Sequence, residues 1–313
     1  MSLAGHLWTV WPTLSHRVLP RRAPEAVPWS TQLVDPQMGD ISLRGLLRDR
    51  ADSDACVVIV HGLGGTTDSF YAVAAARAAD AAGLSSLRIA LRGADRLGED
   101  FYHAGLTADL EATLASAALA RYRVLYVVGY SLGGHMTLRF ALAPTDVRVK
   151  AVAAVSPPLD LNRTADAIDS AEARLYRRHI LSSLNEIYGA VAARKALPIP
   201  ASEVFAATTM RKWDSLAVVP RHGFGDVDNY YSSMSVGPQL KEIQIPALIV
   251  HSDSDPMVPA STYRDLLAVH LPRVTAHIVP MGGHVAFPKR LMIGAAAAAG
   301  LESQTLSWLM QHR

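Results

Sequence analysis

Hydrophobic residues are grouped in short runs, separated by stretches rich in alanine and leucine. Residues 55–60, 124–128, 151–155, 246–250 and 276–279 form apolar runs of strand length, and 87–91 is a weaker one. Between them, 69–83, 107–121 and 131–143 carry helical spacing. Strand-length runs alternating with helices predict βαβ units and a mainly parallel sheet. Nearly unbroken apolar runs predict a sheet covered on both faces, since a half-exposed strand alternates apolar and polar residues. Upstream, 31–33 and 41–47 flank the turn-like PQMGD and predict an antiparallel pair. The alanine-rich stretch 293–301 reads as one more helix.

The alternation breaks once, between 157 and 235, where no strong strand run occurs. Residues 167–196 look helical, with Leu175, Ile180, Leu184, Ile187, Tyr188 and Val191 close to one face. The block reads as a helical cap inserted into an α/β core. It divides the chain into core 1–156, cap 157–235 and core 236–313, with HGFGDVD as the hinge back to the core. That segment lacks the spacing of a calcium loop or a zinc site. Arg174, Arg177, Arg178 and His179 in the cap read as a solvated face.

Composition narrows the function. The chain has 313 residues, half of them hydrophobic, with 30 Lys+Arg against 28 Asp+Glu and a formal charge of +2. That suits a large core and argues against a nucleic-acid surface. Cys56 is the single cysteine, which excludes an intrachain disulfide and a four-cysteine zinc site. The first residues lack a basic segment before an apolar one, and Trp11-Pro12 interrupts them, so no signal peptide is expected. No run approaches the roughly 18 apolar residues of a membrane span. The expectation is a cytoplasmic protein without stable membrane insertion. Peripheral membrane contact and oligomeric state are left open.

The candidate chemistry centres on VLYVVGYSLGGHMTLRF, residues 124–140. A strand run ends at Gly129, and a helical segment follows Ser131. A nucleophile at a strand-to-helix turn needs a sharp bend, and glycines at 129 and 133 leave room for it. The hydroxyl of Ser131 then stands at a helix N-terminus, where free amides favour developing negative charge. A serine hydroxyl needs a base. His284, in PMGGHVAF after the apolar run 276–279, is the candidate among 12 histidines. The acid belongs to the loop after the preceding strand run, where PALIVHSDSDPMVP offers Asp255 and Asp253. Asp255 is preferred because Pro256 and a hydrophobic turn fix its direction, and Asp253 remains the alternative. Oxyanion donors are expected at the backbone amides of Leu132, after the serine, and Leu63, in HGLGGTTDSF. His61 and His135 read as loop-orienting and packing residues. Arg92 reads as an ion-pair residue holding a loop, with substrate-anion binding as the alternative.

With these residues in place, the chain resembles the α/β-hydrolase superfamily, and within it the YheT-like branch of carboxylesterases and abhydrolase-domain lipid hydrolases. The resemblance rests on GHLWTVWP at 5–12, HGLGGTTDSFY, LRGADRLGEDFYHAGLTADL, VVPRHGFGDVDNYY and GGHVAF. It covers most of the chain and is weakest inside the cap. Two departures stand out. Ser254 separates two aspartates that are adjacent in the branch, and His135 replaces a frequent asparagine. The resemblance implies a serine hydrolase acting on small or lipid-like carboxylic esters through an acyl-enzyme, without metal or organic cofactor. An acyltransferase, cyclase or thioesterase using the same acyl-enzyme is the alternative.

Overall fold

The structure is a computed structural model that describes residues 3–313. An eight-stranded sheet forms its centre, in the order β1-β2-β4-β3-β5-β6-β7-β8. The strands are β1 Val27–Asp35, β2 Gly39–Arg48, β3 Ala55–Val60, β4 Ser85–Ala90, β5 Val124–Tyr130, β6 Val149–Val155, β7 Ala247–Ser252 and β8 Val274–Val279. β1 pairs with β2, and β2 with β4, antiparallel; every other pairing is parallel. The chain therefore has the predicted α/β architecture.

The continuous apolar runs have a direct physical cause. In β3, Cys56, Val58 and Val60 face one core, and Ala55, Val57 and Ile59 face the other. β5 splits in the same way, with Leu125 and Val127 against Tyr126 and Val128. Side chains alternate across a strand, so a sheet packed on both faces needs apolar residues at every position.

The helices in chain order are α1 Leu3–Val18, α2 Phe70–Ala81, α3 Ala108–Leu114, α4 Leu132–Leu142, α5 Leu161–Asp169, α6 Arg174–Ala192, α7 Ala201–Phe205, α8 Met210–Leu216, α9 Val218–His222, α10 Val227–Met234, α11 Arg264–Leu267 and α12 Leu301–Met310. Apolar residues of α2 and α12 cover one face of the sheet, and those of α3 and α4 the other. α5 to α10 all lie between β6 and β7. Asp160 and Asp226 cap α5 and α10 by accepting from the amides of Arg163 and Asn229 at 2.9 and 2.8 Å. HGFGDVD is the turn between α9 and α10, with left-handed Gly223 ending the first helix.

Two expectations need correction. The alanine-rich stretch 293–301 is not a helix; it is irregular, and α12 begins only at Leu301. Its left-handed Gly294 and Gly300 break helical geometry. The buried Gln304 side chain then serves its backbone, accepting from the amides of Ile293 and Ala295 and donating to the carbonyls of Ala295, Ala297 and Ala298. The span 167–196 is two helices, α5 and α6, not one, and Leu175 is exposed while the five other apolar positions are buried. The N-terminal stretch, to which no element was assigned, is α1, with Pro12 inside it.

Candidate active site

Ser131 stands between the end of β5 and the start of α4 with φ 52° and ψ −121°, a left-handed conformation rare for a side-chain-bearing residue. The glycines on either side make the bend sterically feasible. A Cβ on Gly129 would sit 2.2 Å from the Gly133 carbonyl oxygen. A Cβ on Gly133 would sit 2.4 Å from the His61 carbonyl oxygen and 2.6 Å from that of Val60. The bend is thus pressed against the end of β3, and only glycine fits that approach.

Ser131 Oγ lies 2.8 Å from His284 Nε2, and His284 Nδ1 lies 2.9 Å from Asp255 Oδ2. Asp255 is buried, and its Oδ1 accepts from the amides of Met257 and Val258 at 2.8 and 3.0 Å. Burial alone would raise its pKa; the His284 charge and hydrogen bond, with the two amides, outweigh burial and hold it below the usual value. Asp253 is elsewhere, paired with Arg264 at the surface. The structure therefore brings Asp255, not Asp253, to the histidine.

The two expected oxyanion donors also border the cavity that Ser131 opens into. Leu132 is the first residue of α4, where a helix amide has no intrahelical acceptor. On either side of Leu63, the amides of Gly62 and Gly64 donate to the hydroxyls of Tyr71 and Tyr102 at 3.0 and 2.7 Å. The loop is thereby held by two phenols. His61 is buried behind it, with Nδ1 2.7 Å from the Gly62 carbonyl and Nε2 accepting from the Leu91 amide at 3.1 Å. It orients the loop and does not reach the serine.

The cavity measures about 830 Å³. Leu161, Ile168, Ile180, Leu184 and Trp213 from the inserted helices give it apolar walls. One polar spot breaks them, the Asp214 carboxyl accepting a hydrogen bond from the Tyr231 hydroxyl. Burial pushes the Asp214 carboxyl up to about 7 against the pull of that bond.

Sequence reasoning missed several supports. Thr9 of α1 accepts from the His284 amide at 2.8 Å and donates to the Gly5 carbonyl at 2.8 Å. Ser156 Oγ accepts from the Val285 amide at 3.3 Å. Ser156 and Val285 have φ of 50° and 52°, so Ser131 is one of three strained residues gathered at this site. Thr9 lies 275 residues from His284, on the polar side of a stretch whose periodic signal is its apolar stripe, and nothing in its neighbours points to the contact.

Other candidates resolve into structural roles. Arg92 is buried away from the cavity, paired with Asp109, Asp35 and Asp100 at 2.6, 2.6 and 2.9 Å. His135 is buried, its ring nitrogens 2.7 and 2.9 Å from the carbonyls of Pro158 and Met234, at the two ends of the inserted block. Arg177 donates to the carbonyls of Ile168 and Ser170 at the end of α5, whereas Arg174, Arg178 and His179 are exposed.

A family model described as alpha/beta hydrolase fold matches residues 56–291. Escherichia coli (strain K12) has a relative named "Putative esterase YheT", 30% identical over 272 residues, covering 81% of this chain and 76% of that protein. A monoacylglycerol lipase of Saccharomyces cerevisiae is 25% identical over 184 residues, covering 53% of this chain and 39% of the lipase. Among solved structures, esterase Pf2001 of Pyrococcus furiosus superposes with a TM-score of 0.52 at 14% identity, over 83% of this chain and 85% of that one. Est1E of Butyrivibrio proteoclasticus, with ferulic acid bound, gives 0.52 at 18% identity, over 79% and 88%. The chain belongs to the α/β-hydrolase fold family, on its YheT-like branch.

Proposed function

We propose that the protein is a serine hydrolase of carboxylic esters. The observation that carries this reading is the unbroken relay from Ser131 Oγ through both nitrogens of His284 to buried Asp255, at the wall of an apolar cavity. Ser131 attacks the ester carbonyl carbon while His284 Nε2 takes the hydroxyl proton. Asp255 keeps the other nitrogen protonated and stabilises the imidazolium. The amides of Leu63 and Leu132 receive the oxyanion. His284 returns the proton to the leaving alcohol, and water activated by the same nitrogen then frees the acid. The names of the bacterial and yeast relatives support ester chemistry. The aliphatic walls favour short- to medium-chain or lipid-like acyl groups, and the Asp214–Tyr231 pair offers one polar contact to a substrate hydroxyl.

The test combines a fluorophosphonate probe with p-nitrophenyl esters of rising chain length, on wild type and Ser131→Ala. Wild type is expected to label and to turn over esters. Ser131→Ala is expected to lose labelling and to fall in kcat by roughly 10⁵- to 10⁶-fold. Undiminished turnover by a folded Ser131→Ala protein would overturn the reading.

A further inference from the structure

α1 is built inside out. A helix on a protein surface normally turns its apolar face inward. Here the residues set toward the protein include Gly5, His6, Thr9 and Thr13, whereas the outward face carries Leu3, Leu7, Val10, Trp11, Leu14 and Val18. Their exposures are 77, 61, 41, 69, 48 and 78%. At 3.6 residues per turn these six positions fall within about 100° of the helix circumference, a continuous stripe. Leu19 extends it, and Leu175 at the start of α6 is likewise exposed. α6 adjoins α1 through Tyr176, whose hydroxyl lies 2.7 Å from His6 Nδ1.

The charges on α1 itself have one sign, while of the carboxylates near it Asp68 and Glu186 at the cavity pair with Arg88 and Arg96, and Glu172 is exposed just before α6. Residues 1–24 contain no aspartate or glutamate, and they include Arg17, Arg21 and Arg22. Arg174 and Arg178 are exposed on the same end of α6. Among the described residues no carboxylate forms an ion pair with Arg17, Arg174 or Arg178. The stripe also continues into the active-site cavity, because Val10 and Leu14 belong to both.

We propose that α1, with the first turn of α6, is a docking face for an anionic lipid surface, against which the cavity mouth opens. An apolar stripe with tryptophan and leucine beside unpaired arginines is what an in-plane interfacial helix requires: burial of the stripe drives insertion and anionic headgroups meet the arginines. Through Thr9 the docked helix is bonded to the backbone of His284. The proposal goes beyond ester hydrolysis and does not depend on it, so it is tested on protein carrying Ser131→Ala.

The experiment is co-sedimentation with extruded vesicles of phosphatidylcholine alone and of phosphatidylcholine with phosphatidylglycerol. The protein is expected to sediment with the anionic vesicles, to bind neutral ones at least roughly tenfold more weakly, and to dissociate as salt approaches about 0.5 M. Leu7→Glu with Trp11→Glu, both outside the cavity, should weaken binding by on the order of a hundredfold. The same pair in the Ser131 background should leave hydrolysis of a water-soluble ester within about twofold, which reports that the fold is intact. Brominated lipid should quench wild-type fluorescence more than that of Trp11→Phe, a readout that needs no charged variant. Absence of vesicle binding, binding that the double variant leaves unchanged, or a dimer in ultracentrifugation that the double variant dissolves while vesicles stay unbound would each overturn the proposal.

Discussion

Asp253 and Asp255 are two residues apart on one loop, yet their environments differ in every term that sets a carboxylate's role. Asp255 is buried and accepts two amides and an imidazole; Asp253 meets Arg264 at the surface. Replacing Asp255 with asparagine keeps the shape but lets the side chain donate to His284, which favours the wrong tautomer. Asp255→Asn is therefore expected to lower kcat for a soluble ester by about 10⁴-fold, and Asp253→Asn to change it by less than about twofold. Equal effects in steady-state kinetics would break the assignment. Asp214 gives a second prediction, on stability. Burial raises its carboxyl to about 7 in the fold, against 3.8 as the ordinary value. Between those pH values the native state holds a proton that the unfolded chain has lost. The contribution of Asp214 is thus complete below about pH 4 and is lost as pH rises through about 7, by up to about 1.4 kcal/mol per pH unit. Asp214→Asn should remove that slope: the stability difference from wild type in urea melts should shift in the variant's favour from pH 4 to pH 7. A pH-independent difference would mean that Asp214 is ionised in the fold.

At the scale of elements, the turn holding Ser131 is decided by sterics that the sequence states openly. Gly133 faces the carbonyls of Val60 and His61 at distances no Cβ tolerates. At Gly134 the nearest atoms to an added Cβ are the Gly129 carbonyl oxygen at 3.0 Å and Ala154 Cβ and Cα at 3.3 and 3.4 Å. Gly133→Ala is expected to cost at least about 3 kcal/mol or to prevent folding, while Gly134→Ala stays within about 1 kcal/mol, since alanine's helix preference offsets mild crowding. Thermal melts of the two variants would separate these cases, and similar melting temperatures would contradict the close-approach argument. The same locality explains which elements could be read in advance. β3, β5, β6 and β7 are buried on both faces and are legible as apolar runs. β4 is faint because Arg88 sits inside it, buried and bonded to the Thr67 carbonyl at 2.6 Å. Two stretches were not read correctly: one has its structure decided by a partner outside it, and the other hides a helical stripe behind Pro12. The alanine run 293–301 is held open by Gln304, and α1 keeps its helix across Pro12 while its polar side meets the His284 loop. Ser131, His284 and Asp255 were candidates because each follows a strand with glycine or proline within two residues. Tyr71, Tyr102 and Thr9 could not, since a hydroxyl that supports a loop from a distance leaves no local mark.

For the molecule as a whole, the decisive feature is a chain of buried charges that joins the inserted helices to the sheet. Arg92 follows β4 and pairs with Asp35 at the end of β1, Asp109 in α3 and Asp100 in the intervening loop. Asp100 in turn accepts from Arg221 of α9 at 2.9 and 2.7 Å. Burial would raise the Asp35 carboxyl, but the Arg92 guanidinium and the amides of Gln37 and Met38 hold it down at about 2. His135 of α4 lies between the carbonyls at the entry and exit of the inserted block, and its neutral imidazole donates to one of them. The inserted helices thus share buried contacts with two separate parts of the core, the Asp100 loop and α4, and they should unfold with it. Arg92 is the place to test this, because it touches the most elements and lies outside the cavity. Arg92→Met keeps much of the apolar stem but strands carboxylates that burial has stripped of water. Losing one member of such a network costs on the order of 3–5 kcal/mol, far more than a surface ion pair. Urea unfolding should therefore be a single transition in wild type, coincident by tryptophan fluorescence and far-ultraviolet circular dichroism, with its midpoint moved down in Arg92→Met. If fluorescence from Trp213 in α8 were instead lost in a separate, earlier transition in the wild-type protein, the inserted block would be an independently melting unit, and the buried charges would not be what couples it to the sheet.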